Sequence, residues 1–154
     1  MSQGKVVQKV IYSIGYGGRS WEEFANLLRK YDVKLVVDVR RWPTSKRMPW
    51  TEKKNIEALL STRGIEYLWL GELLGGYREG GYKRYMETSE YRLGVRVVAG
   101  LSLALRKGFL AIMCMERLWF RCHRRFICDT LTRMGFTVVH IVDERRTYTH
   151  KGKA

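Results

Sequence analysis

The chain has little of what a secreted or membrane protein carries. None of its apolar runs approaches the ~20 residues needed to span a bilayer. Its N-terminus shows no signal-peptide pattern, so a cytoplasmic protein without membrane association is expected. Cysteine is sparse, three in 154 residues, which argues against a disulfide framework and leaves free thiols or metal ligands. Proline occurs twice. No linker rich in Pro, Gly or Ser, no repeat and no low-complexity segment divides the chain, so one domain is expected over residues 1–154. Asn and Gln number two each (Asn26, Asn55, Gln3, Gln8), a depletion expected of a protein kept at high temperature, and a thermophilic source is inferred. Acidic residues are the last deficit: 15 Asp and Glu stand against 29 Lys and Arg, for a net charge of +14. Heat adaptation enriches both signs and does not explain that imbalance. A polyanionic partner does, because each phosphate contact releases condensed counterions; nucleic acid or a nucleotide is the partner expected, with simple solubility as the competing explanation.

What the chain does have is a regular alternation of strand and helix patterns. Lys9 to Ile14 reads as a strand, followed by the turn Gly15-Tyr16-Gly17-Gly18 and a capping box formed by Ser20 and Glu23. The helix it opens turns Phe24, Leu27, Leu28 and Tyr31 inward. Lys34 to Arg40 contains Leu35-Val36-Val37, a buried strand ending at Asp38-Val39-Arg40, and Pro43 interrupts the pattern before a polar loop. A helix from about Glu52, a strand Ile65 to Leu70, a flexible loop and a short turn at Tyr82 to Met86 follow. A longer helix runs from Ser89 to Arg106, with Val97, Leu101, Ala104 and Leu105 on its core face. Phe109 to Met113 and Phe136 to Val142 are the last strands, separated by a helix with Phe126, Ile127, Thr130, Leu131 and Met134 on one face. A basic tail from about residue 145 is expected to be mobile. This alternation predicts a three-layer αβα fold around a five-stranded, mainly parallel sheet, because parallel neighbours need crossover connections.

The most informative stretch is Met113 to Arg125, MCMERLWFRCHRR, which holds two cysteines, a carboxylate, a histidine and four arginines. It joins a strand end to a helix start. Ligands bind outside the carboxyl ends of strands in such sheets, and a helix N-terminus favours an anion and a lowered thiol pKa. Cys114 and Glu116 at the strand end, and Cys122 at the helix start, are therefore candidates for chemistry together with Asp38. His123, Arg124, Arg125, Arg40 and Arg41 are candidates for holding phosphate or another anion. Gly17 and Gly18 form at most a phosphate-tolerant loop, since the third glycine of a dinucleotide fingerprint is replaced by Ser20.

Each of these has a plainer reading. Asp38 and Glu116 fit ion pairs that orient Arg40 or Arg124 as well as they fit general bases or metal ligands. Arg40 and Arg124 suit bidentate phosphate contacts and also buried salt bridges. A phosphatase-type loop of Cys, five residues and Arg is not met from either Cys114 or Cys122. Cys114, Cys122, His123 and Glu116 offer donors enough for zinc, but the spacing is not a zinc pattern, so no metal and no cofactor are assigned. Cys128 reads as a small core residue and His140, inside an apolar strand, as a satisfied core histidine.

Taken in order, IGYGGRSWEEF, VVDVRRWPTSKR, YLWLGELLGG, YMETSEY and MCMERLWFRCHRR with the later VVHI resemble the domain of unknown function 488 family over nearly the whole chain. The resemblance implies an α/β fold and no established activity. In the first motif Tyr16-Gly17-Gly18 stands where relatives more often show a His-Ser or His-Ala type of turn.

Three function classes follow. One is a small protein binding or processing nucleic acid or a nucleotide through the Arg-rich anion site, with Asp38, Glu116 and Cys122 supplying chemistry. Another is a thiol-dependent sulfur or acyl transferase using Cys122 or Cys114 on a small anionic substrate. The third is a non-enzymatic basic binding module.

Overall fold

The apolar runs LVVD and LAIMC lack the polar alternation of a half-exposed strand, and in the computed structural model, which describes residues 9–152, both lie buried in the middle of the sheet. The elements in chain order are β1 (Val10–Gly15), α1 (Trp21–Lys30), β2 (Val33–Asp38), a 3-10 turn (Pro49–Thr51), α2 (Lys53–Thr62), β3 (Glu66–Trp69), α3 (Gly71–Leu74) and α4 (Tyr82–Tyr85). There follow α5 (Ser89–Ala104), β4 (Phe109–Cys114), a second 3-10 turn (Trp119–Arg121), α6 (Arg124–Arg133), β5 (Thr137–Ile141) and β6 (Thr147–Thr149). The sheet order is β3-β2-β4-β1-β5-β6, with β6 alone antiparallel to its neighbour.

One face of the sheet takes Phe24, Leu27 and Leu28 of α1 and Ile56 and Leu60 of α2 against Val36, Ala111 and Met113. The other takes Tyr91, Val95 and Val98 of α5 and Ile127 and Leu131 of α6 against Leu35, Val37, Leu110 and Ile112. The chain thus leaves β1 over one face and the adjacent β4 over the other. That reversal opens a crevice at their carboxyl ends, the position where doubly wound sheets bind ligands.

The α/β, three-layer expectation holds, with two corrections. The sheet has six strands rather than five, because the tail from about 145 is not free: Thr147–Thr149 pairs with β5, and the His150 N–H donates to the Val138 carbonyl at 2.7 Å. Its Thr-Tyr-Thr alternation is ordinary strand chemistry that the neighbouring charges masked. The tight turn before it is fixed by the Asp143 carboxylate, which accepts the Arg145 and Arg146 N–H groups and the Arg146 guanidinium. Lys153, the last basic residue of that tail, lies outside the described residues.

The second correction concerns α5. Its buried face is Tyr91, Gly94, Val95, Val98, Ala99 and Ser102, one position round from the expected Val97, Leu101, Ala104 and Leu105. Small residues won over large ones because α3 packs close: a Cβ at Gly94 would lie 2.7 Å from the Leu74 side chain. α1 keeps its expected face and its capping box, with Ser20 and Glu23 each accepting the other's N–H at 3.1 Å.

Candidate active site

β4 ends on Cys114, opposite Gly15 of β1. The loop that leaves Cys114 passes directly over the end of β1, where a Cβ on Gly15 would stand 2.1 Å from the Glu116 carbonyl oxygen. Only glycine permits that path. Gly17 N–H then ties the loop down by donating to Met115 O at 2.8 Å, and Leu118 N–H donates to a carboxylate oxygen of Glu116 at 3.1 Å. Through the 3-10 turn the chain comes back on itself and places Cys122 Sγ 2.9 Å from Cys114 Sγ.

The start of α6 completes the arrangement. Arg124 N–H points at Cys122 Sγ, 3.4 Å away. His123 Nε2 lies 2.9 Å from the Val39 carbonyl, which can only accept, so the ring proton sits on Nε2. The unprotonated Nδ1 then faces Cys122 Sγ at 3.5 Å and is free to take its proton. Burial lowers the His123 pKa, keeping the ring neutral near pH 7.

Arg124 supplies the electrostatics. Its side chain is 1% exposed and forms no ion pair with any carboxylate among the described residues. Nη2 donates to the Glu116 backbone carbonyl at 3.0 Å, whereas Nε and Nη1 have no partner. A buried cation without a counterion costs several kcal/mol, and nearby groups able to become negative are drawn to do so. The thiol that responds is Cys122, whose pKa falls from 9.0 to about 7. The Cys114 thiol that donates to it contributes most; the Arg124 charge and N–H outweigh part of the opposing burial. Cys114 moves the other way, held up by burial and by its hydrogen bond to Cys122. The pair thus loses its first proton from Cys122 and keeps the second between the sulfurs.

The two cysteines border a cleft of about 440 Å³ walled by Arg41, Arg121, Glu116 and His123, with Cys122 the more exposed of the pair. At its mouth stand Trp42, 60% exposed, and Tyr77, 85% exposed, with ring centres 5.4 Å apart. Arg41 links them, its guanidinium 5.6 Å from the Trp42 ring and its Nη1 donating to Tyr77 O at 3.2 Å. Tyr77 is held at φ 58°, an unfavourable value for a residue with a side chain. A larger depression of about 590 Å³ lies between α1 and the turn before β6, where Arg19, Arg117, Arg145 and Arg146 alternate with Glu23, Asp143 and Glu144. It is lined by no cysteine, and the chemistry is assigned to the smaller cleft.

The other residues singled out from sequence sit as follows. Asp38 is 0% exposed and fully engaged: Oδ1 accepts the Arg40 N–H and Nε at 3.1 and 2.9 Å, and Oδ2 accepts Arg40 Nη2 and the Tyr67 hydroxyl at 2.7 and 2.5 Å. Arg40 also donates to the Tyr16 hydroxyl and to Thr51 O. Burial works against its charge, but Asp38 more than restores it and raises the Arg40 pKa. Asp38 and Arg40 form a buried ion pair that shapes the cleft wall and leaves neither a free base nor a free phosphate fork. Arg125 is exposed, lies over the Phe126 ring at 4.6 Å and lines a separate depression with Lys83, Asp129 and Arg133. Gly17 and Gly18 pack against the Met115 to Arg117 loop rather than lining the cleft. Of the cleft residues, Tyr77 carried no signal in the sequence, whereas Trp42 stood beside the Arg40-Arg41 pair.

The family described as Domain of unknown function DUF488 matches residues 20–131. That stretch contains Asp38 to Arg41, Cys114, Glu116 and Cys122 to Arg125; the opening Gly15 to Gly18 turn and the VVHI strand lie outside it. No curated protein and no solved structure matches the chain. No helix among the described residues is long and apolar enough to cross a membrane.

Proposed function

The chain belongs to the DUF488 family, whose description names no reaction, and from the cleft we propose a thiol–disulfide oxidoreductase that reduces a substrate disulfide, with Cys122 as nucleophile and Cys114 as resolving thiol. The observation that carries this reading is the pair of sulfurs 2.9 Å apart beside the unpaired, buried Arg124. The substrate is an anionic disulfide, drawn in by Arg41 and Arg121. Cys122 thiolate attacks one substrate sulfur, forming a mixed disulfide as the substrate S–S bond breaks and one thiolate leaves with the electron pair. Cys114 then gives its proton to the departing thiolate and attacks the Cys122 sulfur, expelling the second thiolate. The substrate has gained two electrons and the protein holds a Cys114–Cys122 disulfide, which an external thiol reductant reopens. The sulfurs need close by less than about 1 Å to reach a bond of about 2.05 Å.

Oxidised glutathione, an anionic disulfide, is the test substrate. The expected result is a glutathionylated Cys122 that accumulates in Cys114→Ser and resolves to an intramolecular disulfide in the native protein. Exchange at Cys122 no faster than at a free cysteine at pH 7 overturns the proposal.

A second reading is favoured by the rim of the cleft. Exposed Trp42 and Tyr77 beside Arg41, on a chain of net charge +14, suit a nucleotide or single-stranded nucleic acid, whose bases stack on aromatic rings while arginines follow phosphate. Binding to short single-stranded DNA and RNA across a salt series tests it. Trp42→Ala is expected to lose about 1–3 kcal/mol without altering the salt slope, and absence of binding at low salt removes this reading.

A further inference from the structure

Arg124 has a second set of polar neighbours, which the cleft does not use. α6 carries Cys128 and Asp129, β5 carries His140, and β6 leads into His150, which its backbone bond to Val138 fixes beside β5. Cys128, His140 and His150 are all buried, and the Cys128 sulfur and one ring nitrogen of each histidine lie within 4.8 Å of one another.

The outer partners of both rings are already in place. His150 Nε2 lies 2.6 Å from a carboxylate oxygen of Asp129. A carboxylate that accepts this bond puts the proton on Nε2, so Nδ1 presents a lone pair. His140 Nδ1 lies 2.8 Å from the Ser13 hydroxyl, which can donate or accept. His140 Nε2 and His150 Nδ1 are left facing each other at 2.8 Å with a single proton between them. Rings that bind metals are commonly oriented in this way, the non-ligating nitrogen held by a carboxylate or hydroxyl. Trp119 stacks on His140 at 4.2 Å and 5° and covers one side of the cluster.

We propose that Cys128, His140 and His150 form a binding site for a thiophilic d10 metal ion, zinc(II) or copper(I), oriented by Asp129 and Ser13. Thiolate and imidazole donors suit both ions. On binding, Cys128 releases its thiol proton to solvent, and the His140 proton moves from Nε2 to Nδ1, where the Ser13 oxygen accepts it. The charge of Arg124, which acts on both Cys128 and His140, ranks the two ions. Copper(I) balanced by one thiolate leaves no net charge beside the guanidinium, whereas zinc(II) leaves one positive charge, so copper(I) binds more tightly.

The test is competition for Zn²⁺, and separately for Cu⁺ under anaerobic conditions, between a chromophoric chelator and the full-length protein previously stripped of metal. Wild type and Cys114→Ser/Cys122→Ser are expected to take up one ion per chain. Cys128→Ala and His150→Gln are expected to lose that binding, and Asp129→Ala to weaken it by about 10- to 100-fold, as loss of an outer partner does elsewhere. His150 lies at the sheet edge, and a thermal melt of His150→Gln checks that the variant is folded. Absence of binding in wild type, binding that survives in folded His150→Gln, or binding that disappears with the Cys114/Cys122 pair and persists in Cys128→Ala each overturns the proposal.

Discussion

The reactivity of Cys122 as a function of pH is the most direct consequence of the cleft geometry. Lowering a thiol from 9.0 to about 7 favours its thiolate by about 2.7 kcal/mol, at 1.36 kcal/mol per pH unit. At pH 7 about half of Cys122 is then ionised, against about one in a hundred for an ordinary thiol, a gain of roughly 50-fold. A less basic thiolate is also a poorer nucleophile, and a Brønsted slope of about 0.4–0.5 takes back roughly 6- to 10-fold. Exchange with a chromogenic aromatic disulfide should therefore run about 5- to 8-fold faster than a free cysteine at pH 7 and about 3- to 5-fold slower at pH 9. Mass spectrometry should place the label on Cys122, because Cys114 and Cys128 are buried. Cys114→Ala removes the largest stabilising contact and should move the midpoint from about 7 toward 9.0. The same preference makes the Cys122 contribution to stability grow as pH rises from about 7 to 9, since the ionised form is the one the fold favours, and disappear below that range. A wild-type midpoint near 9, or one unmoved by Cys114→Ala, would refute the reasoning.

Other substitutions separate chemistry from architecture. Arg124→Met removes a buried charge that lacks a carboxylate, so at pH 6, where Cys122 is protonated, it should raise stability by about 1–3 kcal/mol while also raising the Cys122 midpoint; a loss of stability in a denaturant melt contradicts this. Asp38→Asn strips Arg40 of its counterion and should cost about 3–5 kcal/mol. Its Cys122 midpoint should stay near 7, and a midpoint that follows the loss of stability would place Asp38 in the thiol chemistry after all. Gly15→Ala forces a methyl group against the Glu116 carbonyl. A loss of about 1–3 kcal/mol is expected, together with slower Cys122 exchange, and an unchanged exchange rate would show that this loop does not position the thiol.

The fold was legible wherever local pattern and tertiary packing agreed. The capping box at Ser20 and Glu23, the buried runs of β2 and β4 and the inward face of α1 follow from periodicity that the sheet then satisfies. It was not legible where long-range contacts decide. Thr147–Thr149 is a strand only because β5 offers it an edge, and nothing in a run of basic residues announces that edge. His150 was hidden with it, and so was the relation of His140 and Cys128, each of which alone reads as an ordinary core residue. For the cleft, sequence placed Cys114 at a strand end and Cys122 at a helix start, but their contact depends on how the Met115 to Arg121 loop folds back, which no spacing encodes.

The arginines show the same division. Counting charges gives a basic protein and points to an anionic partner, a property spread over the surface. The count says nothing about which cation lacks a carboxylate, because Asp38 stands near Arg40 and Glu116 near Arg124 in the chain, and spacing alone does not tell which of the two carboxylates closes on its arginine. In the folded chain Asp38 closes on Arg40, while Glu116 offers Arg124 only a backbone carbonyl. Arg40 is thereby neutralised and becomes structural. Arg124 stays without a carboxylate in the interior, between a cysteine pair on one side and a Cys-His-His cluster on the other, where its charge adds to the Cys114 hydrogen bond in favouring the Cys122 thiolate and bears on the charge that a bound ion can carry.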